Sequence, residues 1–121
     1  MNFVMNFWDD IKKLSEKYPD VKFILEDNGD DQEVYIASIM RINSKTSRKG
    51  MGYSLLKEFG DICDVYGVNC ELQIEEYSAK DKLTKLYSPV GFYTIEEYVS
   101  DNDSFIRMRR EHNTIRRTNS G

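Results

Sequence analysis

Apolar residues recur along this chain at two spacings, and the switches between them mark out its elements. Phe3, Phe7, Ile11 and Leu14, with Tyr18 a turn later, fall three to four residues apart, while Asp10, Lys13 and Lys17 lie elsewhere on the wheel. That spacing predicts a helix with one buried face, closed by Pro19. Val21 to Glu26 reads as a strand, and Asp27-Asn28-Gly29-Asp30-Asp31 carries the Asn-Gly chemistry of a hairpin turn. The next run, Val34 to Ile42 within a β-patterned stretch from Glu33 to Asn43, is apolar on both faces, as in a covered central strand. Ser38 is its polar exception.

Helical spacing returns at Met51 to Tyr66, where Leu55, Leu56, Phe59, Ile62 and Cys63 form a broad stripe and Gly67 is a plausible stop. Cys70, Leu72 and Ile74 then alternate with Glu71, Gln73 and Glu75, the period of a strand with one wetter face. Ser78 is placed to cap a third helix, Ala79 to Tyr87, which Pro89 and Gly91 terminate. Two further strands, Phe92 to Val99 and Ser104 to Arg110, flank the polar turn Ser100-Asp101-Asn102-Asp103. The order is α-β-β-α-β-α-β-β. Its strand-helix-strand units call for right-handed crossovers between parallel strands, so the expected fold is α+β: a mixed, layered sheet, mostly parallel at its centre, flanked by helices.

A chain of 121 residues fits one domain, here residues 1–111, and residues 112–121 lack an apolar pattern and read as a basic, disordered tail. The net charge of −4 is unevenly spread. From Arg107 onward five arginines and one glutamate give +4, leaving −8 on the rest. An acidic body favours a cationic partner by raising its local concentration, and nucleic acid would be met only through the tail. No apolar run approaches the ~18 residues of a membrane span, and no export signal is evident at the N-terminus. Cys63 and Cys70 have neither zinc spacing nor the density of a disulfide scaffold, so buried thiols in a reducing, cytoplasmic setting are expected, without a metal.

Ser47-Arg48-Lys49-Gly50-Met51-Gly52 sits where a strand hands over to a helix. Glycines admit a close anion, the first helical turn has amides without intrahelical partners, and the helix dipole adds positive charge. Such a loop suits a phosphate, with Arg48 and Lys49 beside it.

Ile42 through Gly52, an amphipathic helix, a strand and then Leu86-Tyr87-Ser88-Pro89-Val90-Gly91-Phe92 together resemble the acetyl-CoA-binding core of the GNAT acyltransferase superfamily. The first signature is the family's Arg/Gln-x-x-Gly-x-Gly/Ala loop, and the second its Leu-Tyr-x-x-x-Gly-Phe helix ending. Ser47 stands where the family has Arg or Gln, Lys80 where many members have Asn, and the N-terminal region is short. The resemblance implies an N-acetyltransferase that moves an acetyl group from acetyl-CoA to a primary amine: a protein lysine, an N-terminus, a polyamine or another small amine. It implies pyrophosphate on the amides of Ser47, Arg48, Lys49, Gly50, Met51 and Gly52, with Tyr53 also among the cofactor-binding residues. The pantetheine arm would lie along Met40, Arg41 and Ile42, where a backbone N–H meets the thioester carbonyl. Tyr87 is the candidate general acid for the leaving thiolate, and Glu33, Glu75 and Glu76 are candidates for the base. A catalytically degenerate module that binds CoA, or a protein or nucleoprotein partner, is the alternative.

Overall fold

The computed structural model describes residues 3–30, 32–41 and 50–113. Helix α1 (Phe3–Lys17) buries Phe7, Ile11 and Leu14 against α2 (Met51–Tyr66), whose Leu55, Leu56, Phe59 and Cys63 are fully enclosed. Polar contacts fix the two helices at their margins. The Lys17 ammonium donates to Glu58 at 2.8 Å, the Tyr18 hydroxyl donates to the same carboxylate, and the Tyr66 hydroxyl donates to Asp10 at 2.7 Å. Gly67 ends α2 at φ 68, its N–H returning to the Cys63 carbonyl, a conformation that costs glycine nothing.

Five strands form one sheet: β1 (Val21–Asp30), β2 (Glu33–Arg41), β3 (Asn69–Ile74), β4 (Tyr93–Tyr98) and β5 (Phe105–Arg110), in the order β1-β2-β3-β5-β4. Only β2 and β3 are parallel neighbours; the β1–β2, β3–β5 and β5–β4 pairs are antiparallel. The expectation of a mostly parallel centre is therefore corrected to a mostly antiparallel sheet. The crossover through α3 (Lys80–Tyr87) does return β4 in the same direction as β3, but one place further out. The hairpin partner β5 fills the slot between them.

Two local readings also change. Asn28-Gly29 makes a bulge inside β1 rather than the turn, with Gly29 at φ 84 and its N–H donated to the Asp27 carboxylate at 2.9 Å; pairing resumes at Asp30 opposite Glu33. Ser78 caps nothing: a 3₁₀ turn, Tyr77–Ala79, leads into α3 instead. After α3 a second such turn, Ser88–Val90, ends at Gly91 with φ 111.

Side chains from all three helices meet one face of the sheet in a single core with Val34, Ile36, Cys70, Leu72, Ile106 and Met108. Both cysteines lie in it, unbridged, and burial pushes the Cys63 thiol up to about 12. The opposite face is polar and bound across strands. Arg109 donates to Glu33 at 2.9 and 3.1 Å and to Glu71 at 2.7 Å, while Arg107 donates to Glu71 at 2.9 Å and to Glu96 at 3.1 Å.

The Arg109 guanidinium, helped by the Asn69 amide at 2.8 Å, holds the Glu33 carboxyl below its usual 4.5. Since the folded-state value is the lower one, this pairing stabilises the fold above the unfolded pKa and is lost as pH falls through the depressed value. Melting temperature should therefore fall more steeply from about pH 5 to pH 3 in the wild type than in Glu33→Gln, measured by circular dichroism. Parallel curves would assign Glu33 no such role.

Candidate active site

Hydrogen bonding between β2 and β3 stops at Ile36 and Leu72, although β2 stays paired with β1 as far as Arg41 and β3 with β5 as far as Ile74. The two strands thus part while each remains held from outside. Ala37 is an extra residue on β2, since Ile24 faces Ser38 and Leu25 faces Ile36. Such a bulge bends and twists its strand, which helps open the gap. The strand edges facing the gap carry amide groups that neither strand supplies to the other.

A cavity of about 310 Å³ occupies the gap, lined along β2 by Ile36 to Met40, along β3 by Leu72 to Ile74 with Glu75 and Glu76 beyond, and from α3 by Leu83 and Tyr87. Ser38 and Gln73 belong to the polar face of the sheet, Leu83 and Tyr87 to the helical side, so the opening passes through the sheet. A second cavity, of about 490 Å³, lies beside it. Ile39, Met40 and Leu83 line both, and Val21, Gly50, Gly52, Tyr53, Lys82 and Leu86 complete the second. Between them the two cavities extend from the first turn of α2 to Tyr87.

Among the described residues no side chain caps the start of α2. Gly50 takes the left-handed conformation there, φ 88, and its carbonyl accepts the Ser54 N–H at 2.9 Å. Gly52 is different: it is helical, and a Cβ built on it would meet nothing within 4 Å. Neither conformation nor packing within the described residues calls for glycine at 52. A glycine there leaves the backbone open on the side of the second cavity, which it lines.

Tyr87 is buried, with its ring edge-on to Phe92 at 5.6 Å between centroids. Desolvation, with the neighbouring Cys70 adding to it, pushes the hydroxyl up to about 12, so it stays protonated at neutral pH. A hydroxyl in that state can give a proton rather than take one. Glu75 and Glu76 stand exposed on the cavity rim, Glu75 accepting from the Gln73 amide at 3.4 Å. Glu33 is not among the lining residues of either cavity, and its carboxylate is engaged by Arg109 and Asn69. Met40, Gly50, Gly52 and Tyr53 line the second cavity, and Met51 begins α2 between the glycines. Arg41 ends β2, while Ile42, Ser47, Arg48 and Lys49 lie outside the described residues. Among the described residues no group of three or more His, Cys, Asp and Glu side chains is placed to hold a metal, and no helix is long and apolar enough to cross a membrane.

Two features escape a linear reading. Lys82 on α3 lines the same cavity as Gly50 and Gly52, and only the fold brings these together. Lys80 instead donates to the Tyr77 hydroxyl at 3.0 Å and pairs with Glu97 at 3.4 Å, its ammonium 4.4 Å from the Tyr77 ring centre. The Tyr77 hydroxyl donates to Glu97 as well.

No family model and no curated protein sequence matches this chain, so the likeness is carried by shape. Ard1 from Thermoplasma volcanium superposes with a TM-score of 0.61 at 18% identity, over 85% of this chain and 78% of that one. A protein from Desulfovibrio desulfuricans described as an acetyltransferase of the GNAT family gives 0.60 at 14% identity, over 76% and 60%. The fold is that of the GNAT acetyltransferases. The ribosomal-protein-S18-alanine N-acetyltransferase of Escherichia coli gives 0.55 at 18% identity, over 85% and 77%. This GNAT-fold chain thus spans only about three-fifths to three-quarters of the length of these structures.

If Gly52 answers to a ligand and not to the fold, Gly52→Ala should stabilise the unliganded protein by about 0.5–1 kcal/mol through helix propensity. Urea unfolding measures this. A destabilised variant would return the glycine to a structural role.

Proposed function

We propose that this protein is an acetyl-CoA-dependent N-acetyltransferase acting on a primary amine. The observation that carries the reading is the gap between β2 and β3: it is edged by backbone amides, reaches Tyr87, and lies beside the cavity at the start of α2. Amides from Gly50 to Tyr53 would receive the pyrophosphate, with Arg48 and Lys49 preceding them in sequence and Lys82 across the groove. The free edge of β2 toward Met40 and Arg41, with Ile42 next in sequence, suits the amide-bearing pantetheine arm. A backbone N–H there would stabilise charge on the carbonyl oxygen under attack.

The cofactor supplies the acetyl group as a thioester; the chain supplies position and protons. Tyr87, protonated at neutral pH, would donate to the departing sulfur. Glu75 or Glu76, on the rim at the far side of the gap, would take the proton from the attacking amine directly or through water, and their charge favours a cationic acceptor. Glu33 suits that role less, since Arg109 engages its carboxylate. A reducing, cytoplasmic setting accords with the two unbridged cysteines.

One observation favours a binding module without chemistry. Lys80, where the resemblance implies an asparagine, is turned to Tyr77 and Glu97, leaving no amide from that position for the cofactor arm.

Acetyl-CoA at about 100 times its Kd should stabilise the protein by about 2.7 kcal/mol, and Gly52→Ala should weaken this binding while the unliganded fold is firmer. Tyr87→Phe should lower turnover about 100-fold or more with little change in acetyl-CoA affinity. Labelled acetyl-CoA with a cell lysate, followed by mass spectrometry of acetylated products, checks transfer. Binding without transfer selects the module; no thermal shift at saturating acetyl-CoA refutes both the transferase and a module that binds CoA.

A further inference from the structure

Arg110 and Asp64 form a buried pair, 5% and 4% exposed, at the end of β5 and in the last turn of α2. Arg110 donates Nη1 and Nη2 to the two carboxylate oxygens at 3.0 and 3.1 Å. Its Nε donates to the carbonyl of Val90 at 2.8 Å, in the turn that follows Tyr87. Two glycines make room for it. A Cβ on Gly60 would stand 3.0 Å from Nη2, and one on Gly91 3.3 Å from Nε. The turn is also closed on Tyr87 itself, whose carbonyl accepts the Phe92 N–H at 3.3 Å.

We infer that Arg110 is a positioning residue: through Val90 and the notch at Gly91 it sets the turn that holds the Tyr87 hydroxyl at the gap between β2 and β3, with Asp64 orienting its guanidinium. This rests on the reading of Tyr87 as proton donor. A buried pair replaceable by apolar side chains often adds little to stability, so geometry is the more informative role to test. Lysine at 110 keeps a cation for Asp64 but has a single nitrogen, which cannot serve both the carboxylate and the Val90 carbonyl in this fork geometry.

The test uses hydroxylamine, a nucleophile small enough to need no acceptor site. Its nitrogen bonds to the acetyl carbon and loses a proton to solvent, the C–S bond breaks, and the sulfur takes the Tyr87 proton, which solvent replaces; acetohydroxamate and CoA result. Arg110→Lys should slow enzymatic hydroxamate formation by about tenfold or more while the acetyl-CoA Kd moves less than about threefold, and in a Tyr87→Phe background it should cost less than about twofold. In the unliganded protein, the ring signal of Tyr87 in tyrosine-labelled NMR spectra, assigned by Tyr87→Phe, should shift in Arg110→Lys while those of Tyr18 and Tyr66 hold. Equal losses in both backgrounds, or an unmoved Tyr87 signal, would overturn the inference. If Arg110→Lys does not fold, Asp64→Asn is read by the same criteria. Wild-type protein that binds acetyl-CoA but forms no hydroxamate above the uncatalysed rate sinks the transfer chemistry instead, and the Tyr87 signal then decides the role of Arg110.

Discussion

The parting of β2 from β3 is the constraint on which the rest of the molecule depends. Two parallel neighbours would ordinarily bond along their shared length, and a gap between them exposes amides that must find other partners. This gap is stable because each strand is anchored on its outer side, β2 by the long hairpin to β1 and β3 by β5. The insertion of β5 beside β3 therefore does more than complete the sheet. Without it β3 would be an edge strand past Leu72, with nothing to hold its end away from β2.

Around this gap the chain divides its labour between the two faces of the sheet. The helical face carries the apolar core, the start of α2 and the protonated Tyr87. The polar face carries the arginine–glutamate network and the carboxylate rim. Charge and burial are thereby kept on opposite sides, meeting where the strands part. The acidic character of the body accords with this: Glu33 and Glu71 are bound to arginines, whereas Glu75 and Glu76 remain exposed at the opening.

Periodicity made nearly every element legible, because each helix and strand has one dry side. Gly50 and the turn at Gly91 were legible as well, since a left-handed backbone favours glycine. Strand order was not, because α3 implies a strand parallel to β3 but says nothing of how far away it lands. Ser38, an anomaly in an apolar strand, is explained by Ala37: the bulge shifts the alternation, so Ile36 and Ile39 face the core and Ser38 faces out. Arg110 left a trace in retrospect, falling in the apolar row of Ile106 and Met108, as did Asp64 beside Cys63 in the stripe of α2. Their partnership spans 46 residues of sequence and no local pattern reveals it.

The network on the polar face works as a gauge of alignment. Arg109 reaches carboxylates on β2 and β3, and Arg107 reaches carboxylates on β3 and β4, so four strands are indexed by two side chains spaced one pleat apart. Sliding β5 by two residues would bring Arg107 opposite Glu71 but strand Glu96, and would carry Phe105 into the place of an ion pair. Hydrophobic alternation alone tolerates such a slip, since it repeats every second residue. The charges do not, and they thereby choose among frames that the core cannot tell apart.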